Sequence, residues 1–332
     1  MHYIFTVIHR LPGCPEGRLR YKRSDCPLPQ IGLGLASIGV KYADGAMTSP
    51  TLSKPSLPTI WRVPDDLWHC LAPVLVVNKP RQKSGRPRSS DRPIFDALIY
   101  LARTGCQWCA LPAEFPPKST VHDRLQEWVE HGCLEQAWGL LLQRYDETLG
   151  IDWHWQSADG CIIKAPLGKR TAQGDPQATG ANPTDRGKAG SKRHLLTDGQ
   201  GLPLAVVLTG ANRHDMKKLA DLLDAKVIEA PDPEEVEQHL CLDRGYDYED
   251  CRQAATKRGY IPHIPDKDAP VPPPTDPNRH PPRRWVVEVG HAWFNRFRGV
   301  LIRWAKSAPS YLGFVQLAAC LIVGRKILIF SG

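Results

Sequence analysis

The period of the apolar residues changes at Gly150, and that change constrains the fold more than any other feature of the chain. Before it, Leu67, Trp68, Leu71 and Leu75 are spaced for one face of a helix over 65–77, with Asp65 or Asp66 placed to cap it. Similar spacing predicts helices over 94–104, 121–131 and 134–148. The first two of these close at Gly105 and Gly132, and Ser119 or Thr120 is placed to cap the middle one. After Gly150 the apolar runs shorten and strands are predicted over 160–165, 194–197 and 202–209, the last two joined by the turn-forming DGQG. A helix from Asp215, read as its cap, to Asp224 follows, then a strand over 237–242 that ends at Asp243. A helix over 248–258, a strand over 260–264, a Pro-rich linker over 269–282 and a long helical stretch from Arg284 complete the chain. Strand, strand, strand, helix, strand, helix, strand, helix predicts an α/β fold: a mixed sheet with flanking helices over 151–332. A small all-α unit over 61–150 precedes it, and 332 residues are enough for both. Residues 1–60, where Pro and Gly recur, read as a poorly folded leader without a signal-peptide layout, with Met47 as an alternative start.

No apolar run approaches the ~20 residues of a membrane span; the best, over 312–323, stops against Arg325 and Lys326. Ten cysteines are scattered through a chain that needs no disulfides to build a core, so reduced thiols are expected. Cys106-Gln-Trp-Cys109 has metal-binding spacing but lacks a second pair, and reads as packed thiols. The net charge of +8 is unevenly spread. Residues 1–150 carry 18 basic and 14 acidic side chains, residues 151–278 carry 16 and 20, and residues 279–332 carry nine and one. That one acid is Glu288. A basic tail around a single carboxylate, after an acidic middle segment, points to a polyanionic partner near a divalent cation.

Phosphodiester chemistry with two metal ions needs a few carboxylates, drawn from distant segments, around ions ~3.5–4 Å apart. Mg²⁺ suits such a site because it takes oxygen ligands and binds substrate phosphate directly. Asp159 at the start of the first strand, Asp243 at the end of the fourth and Glu288 in the first turn of the last helical stretch are placed for it. Singly, each also fits a turn, a cap or a helix-dipole role. Around Glu288, Trp285, Val289, Trp293 and Phe297 recur at helical spacing and predict a buried stripe. Arg284, Arg296, Arg298, Arg303 and Lys306 predict a face that tracks phosphates, or else a solvated basic helix.

The strings DGCIIKAPLG, NPTDRGKAGSKRHLLTDGQGLPLAVVLTGANRHD, LDRGYDYEDCR and WVVEVGHAWFNRFRGVLIRW resemble DDE transposases of bacterial insertion sequences, of the insertion-sequence-five type. TGCQWCALPAEF with STVHDRLQEW resembles the helical domain ahead of their catalytic core, so the likeness runs from about Trp61 to the C-terminus. It implies a ribonuclease H-like sheet, two Mg²⁺ or Mn²⁺ ions, recognition of terminal inverted repeats, and cutting and joining of DNA. The implied setting is an oligomer on DNA in the bacterial cytoplasm, at the nucleoid. By motif, Asp159, Asp243 and Glu288 match the catalytic, metal-holding triad. His214 and Asp215 match the family's HD pair, expected to support the ligands or cap a helix rather than bind metal. Two positions depart: Val289 stands where the family usually has Arg, and Ala305 where it usually has Glu. Val cannot imitate the bidentate contact of a guanidinium. A catalytically impaired DNA-binding relic therefore stays open, as does a nuclease of the same fold without strand transfer. A Ser or Tyr recombinase is disfavoured, because no nucleophile sits in a matching Arg-rich setting.

The helical unit resembles a helix-turn-helix, and a purely structural role is the alternative. After its first helix, NKPRQKSGRPRSSDRP sets Lys79, Arg81, Lys83, Arg86, Arg88 and Arg92 against one acid, Asp91, with prolines that break a helix. SGRPR resembles an arm lying in a narrow minor groove, and a solvated loop explains it equally well. Lys188, Lys192 and Arg193 form a second basic cluster that either holds a DNA strand or solubilises a loop.

Overall fold

The computed structural model of the chain describes residues 62–77, 87–168, 178–268 and 283–331. The expectations for 1–60, for Lys79, Arg81, Lys83 and Arg86, and for the linker 269–282 lie outside the described residues.

Among the described residues four helices come first: α1 (Asp65–Leu75), α2 (Asp91–Thr104), α3 (Lys118–Glu130) and α4 (Cys133–Leu149). Pro64 and Pro117 occupy the cap positions of α1 and α3, and no side-chain cap is made at either. The fixed φ of proline suits a helix start, so α3 begins earlier than expected and takes Ser119 and Thr120 into its first turn. Each helix buries one stripe, among them Leu67, Leu71 and Leu75 on α1 and Val121, Leu125 and Trp128 on α3. The Trp128 indole donates to the Leu75 carbonyl at 2.7 Å, and that of Trp138 on α4 to the Pro203 carbonyl at 3.2 Å.

The sheet has six strands: β1 (Trp155–Lys164), β2 (Gly180–Ala181), β3 (Ala189–Thr197), β4 (Pro203–Gly210), β5 (Gln238–Cys241) and β6 (Tyr260–His263). β1 lies at the centre, antiparallel to β3 on one side and parallel to β5 on the other. β6 extends the sheet parallel to β5, while β4 and the short β2 both pair antiparallel with β3. An antiparallel meander continued by two parallel strands is the ribonuclease H-like mixed sheet that the element order predicts. β1 starts five residues earlier than expected, so Asp159 lies within the strand and not at its beginning.

Five more helices lie among the described residues: α5 (Leu219–Asp224), α6 (Glu249–Thr256), α7 (Trp285–Asn295), α8 (Arg298–Leu301) and α9 (Ala308–Ser331). Asp215 opens a 3-10 turn ahead of α5 and makes no cap. The buried side of α7 is Val286, Val287, Gly290, His291 and Phe294; Trp285, expected in the core, is 59% exposed. Contrary to the sequence expectation, Ala308–Leu328 is long and apolar enough to cross a membrane by length and composition. Most of that stretch is buried inside the protein, where α9 packs chiefly on α4 and also meets α2, α3, α7, α8 and β4.

Candidate active site

Alternate residues of a strand face opposite sides of its sheet. On β1 this sends Ser157, Asp159 and Cys161 toward α7, and the register with β5 carries Cys241 and then Asp243 to the same side. Asp243 sits just beyond β5, where its Oδ1 accepts the Gly245 amide at 2.8 Å and fixes the turn. α7 lies over this face: the Ser157 hydroxyl donates to the Arg283 carbonyl at 3.2 Å, and Gly290 packs against Leu195 and Thr197 of β3. Glu288 lies in the first turn of α7, the helix that covers this face.

Arg284 links the group. Its guanidinium is 2.9 Å from the Glu288 carboxylate and 3.8 Å from that of Asp159. Burial pushes the Asp159 carboxyl up to about 6; the Gly160 amide and Arg284 oppose the rise, and the charges of Asp243 and Asp215 add to it. Tyr246 is buried within electrostatic range of Asp215, Asp159 and Asp243, and burial with those charges holds its hydroxyl well above the usual range. Three carboxylates with one half-exposed arginine among them form a site short of positive charge. All-oxygen, anionic donors of this kind fit a hard divalent cation, which would reverse the rise at Asp159. Among the described residues no three His, Cys, Asp or Glu side chains are already spaced to hold an ion together. Glu288 is turned to Arg284 instead, and at 53% exposure it has room to turn back.

Asp215 approaches β1 from the opposite side of the sheet. A Cβ on Gly160 would fall 2.0 Å from Asp215 Oδ1, so this approach requires glycine beside Asp159. Lys192 reaches Asp215 at 3.1 Å and the Arg213 carbonyl at 2.8 Å, and His194 stands 3.2 Å from Asp215. Burial would raise Asp215, yet His194 and Lys192 together hold it below the usual carboxylate range. His214 is exposed, with its ring edge-on to Tyr248. Sequence reasoning missed His291, and read its partner Arg193 only as one of a basic cluster. The His291 ring is buried three residues after Glu288, accepts from Arg193 at 3.2 Å and faces the backbone of Asp159. Burial, then the Arg193 charge, push it down to about 3, so it is a neutral imidazole. Its spacing from Glu288, close to one helical turn, is the signal that could have found it.

The expected DNA-binding cations divide sharply. Arg303 is fully buried and donates to Ser191, Thr179 and the carbonyls of Ala178, Ala305 and Lys306. Arg193 is fully buried over the Phe294 ring, and Lys192 is tied to Asp215, so neither meets solvent as a phosphate clamp. Arg88 forks onto Glu127 at 2.7 and 3.0 Å within a knot with Arg124 and Asp91, and Arg92 binds Asp65 and the Val63 carbonyl. These two pin helices together and form no free arm. Lys188, Arg284, Arg296, Arg298 and Lys306 retain solvent exposure.

Two family profiles match the chain: "Putative transposase of IS4/5 family" over residues 63–138 and "Transposase DDE domain" over residues 157–323. Among curated proteins it is 39% identical over 151 residues to "Putative transposase for insertion sequence element IS402" of Burkholderia cepacia, covering 43% of this chain and 67% of that one. It is also 30% identical over 113 residues to the uncharacterized protein y4sN of Sinorhizobium fredii, covering 33% and 84%. Of solved structures it is similar to the Mos1 strand transfer complex at 16% identity, covering 74% of this chain and 82% of that one, with a TM-score of 0.24. That likeness is too remote to bear on the fold.

Proposed function

The chain belongs to the DDE-domain transposases of insertion sequences, and from that premise we propose that Asp159, Asp243 and Glu288 are its catalytic carboxylates, acting on DNA at the ends of an insertion element. The observation that carries this reading is that Arg284 bridges the carboxylates of Glu288 and Asp159, at 2.9 and 3.8 Å, while Asp243, 84 residues after Asp159 (243 − 159), lies near enough for its charge to raise Asp159. We assign recognition of the terminal repeats to residues 61–150 and catalysis to residues 151–332, in an oligomer on DNA at the bacterial nucleoid.

The three carboxylates would hold two Mg²⁺ or Mn²⁺ ions, which, bound there, would activate the attacking oxygen and neutralise charge on the leaving 3′-oxygen. Glu288 must first exchange Arg284 for that role. The released guanidinium is then placed to grip a DNA phosphate, a contact its planar fork makes well. Asp159 and Asp243 keep fixed positions throughout, one by the strand ladder and one by its bond to Gly245. The first cut is a hydrolysis that frees a 3′-hydroxyl; that hydroxyl would then attack a target phosphodiester and displace the target strand's own 3′-oxygen, so no covalent protein intermediate forms.

Asp243→Ala should abolish metal-dependent cutting and joining of DNA carrying the element ends while leaving end binding within a few-fold. A variant that still cuts would remove Asp243 from the chemistry. Pre-cut ends with free 3′-hydroxyls separate a transposase from a plain nuclease, which would not join them. Val289, beside Glu288, favours a second reading as an impaired copy; for that protein, wild-type chain would bind ends and cut none.

A further inference from the structure

Where the C-terminal turns of α2 and α7 meet α9, a cavity of about 260 Å³ is lined by Arg103, Arg296, Arg325 and Lys326, with Trp293 and Phe297 among them. No acid lines it. None of the four cations makes an ion pair or hydrogen bond with the described residues, and Arg103 Nε is buried without a partner. Arg103 lies over the Phe297 ring at 5.3 Å and Lys326 over the Trp293 ring at 4.6 Å, so aromatic faces orient two of the charges. Burial, then the charge of Arg325, lower Arg103.

Helix C-termini attract cations, but each supplies only about half a negative charge. Two such ends cannot balance four full positive charges. Like charges gathered in a partly desolvated cleft are unfavourable until an anion enters. At about 260 Å³ the cleft is below the ~300–1,000 Å³ usual for whole small molecules. It suits a compact anion with several oxygens, which arginine forks bind well.

We infer that this cavity is a phosphate-binding site, and that it holds a backbone phosphodiester of the DNA engaged at the catalytic face. The DNA part rests on the reading above. Arg296 is eight residues after Glu288, ~12 Å along the helical direction at 1.5 Å per residue. A strand cut at Glu288 therefore reaches the cavity within a few nucleotides.

The test uses the full chain with two probes, inorganic phosphate and a duplex carrying the element end. At matched ionic strength, phosphate in place of chloride should raise the melting temperature of the wild type, and Arg325→Gln and Arg103→Gln should each lose most of that rise. For the duplex, each substitution should flatten the slope of log K against log salt by about 0.9, one phosphate contact. Lys326→Gln gives the same reading if either arginine variant fails to fold. Equal melting in phosphate and chloride would overturn the site. A phosphate shift with unchanged salt slopes in all variants would overturn DNA as the occupant in favour of a free anion. Wild-type protein that binds no duplex yet melts higher in phosphate would sink the DNA-acting reading and leave the anion site standing.

Discussion

Arg303 and Arg298 lie five residues apart on the same basic segment, yet one is fully buried and the other faces solvent. Charge type is visible in a sequence; burial is not. Arg303 goes inside because β2 and β3 bring Ala178, Thr179 and Ser191 to it, which gives the guanidinium acceptors in place of water. Asp198 is the acidic counterpart. It is fully buried in the β3–β4 turn, where it accepts the Leu202 amide at 2.7 Å and that of Gln200 at 2.9 Å. Burial pushes it up to about 6, despite those bonds. This lies above the ~3.9 of an unfolded aspartate, so the native state holds the proton more tightly. The linked stability is full below about pH 4 and is lost as pH rises through about 6. Asp198→Asn should remove that dependence, so wild type loses ~2 kcal/mol relative to the variant between pH 4.5 and pH 7. Urea unfolding of both proteins at the two pH values measures it; parallel pH profiles would place the effect elsewhere.

At the scale of one element, α7 carries Glu288, and its seat on the sheet depends on Gly290. A Cβ there would lie 2.8 Å from Thr197 Cγ2 and 3.1 Å from the Gly201 carbonyl oxygen. Neither a β-branched side chain in a strand nor a backbone carbonyl yields easily, so the helix must lift. Gly290→Ala gains ~1 kcal/mol in helix propensity and loses ~1–3 kcal/mol to overpacking. A net loss of roughly 1 kcal/mol is expected, with a larger fall in DNA cutting because Glu288 moves with the helix. Adding Thr197→Ser, which removes the clashing methyl, should recover part of both losses; no recovery would show that the contact is not the cause. The same glycine explains why the phase of α7 was misread. Large apolar residues suggested a stripe through Trp285, Val289 and Trp293, while the face that packs is Val287, Gly290, His291 and Phe294. A helix can approach a sheet most closely where it is small, and spacing of large residues does not report that. By contrast, the places of Asp243 after a strand and Glu288 in a first helical turn were legible, because strand ends and helix starts have local signals.

Across the whole molecule the order of elements predicts a mixed sheet of five strands, since a meander and crossovers leave few ways to arrange them, but not the two-residue β2 beside β3. How the helical unit joins that sheet was not legible. Its boundary at Gly150 is clear in sequence, yet the last helix, α9, returns to pack on α4 and also touches α7 and β4. The described residues between 62 and 331 thus belong to one closely packed unit whose N-terminal helices share a core with the C-terminal helix. Cooperative unfolding of helices and sheet follows from that shared core. Val315, fully buried on α9, tests it. Val315→Ala removes two methyl groups and should cost about 2 kcal/mol. Amide exchange at Leu125 and Leu141 reports the helical layer, and exchange at Leu195 and Leu196 reports the sheet. Both should shift by the same free energy, because α9 is part of either unfolding event. If exchange in α3 and α4 shifts while exchange in β3 stays as in wild type, the helices unfold independently and α9 does not couple them.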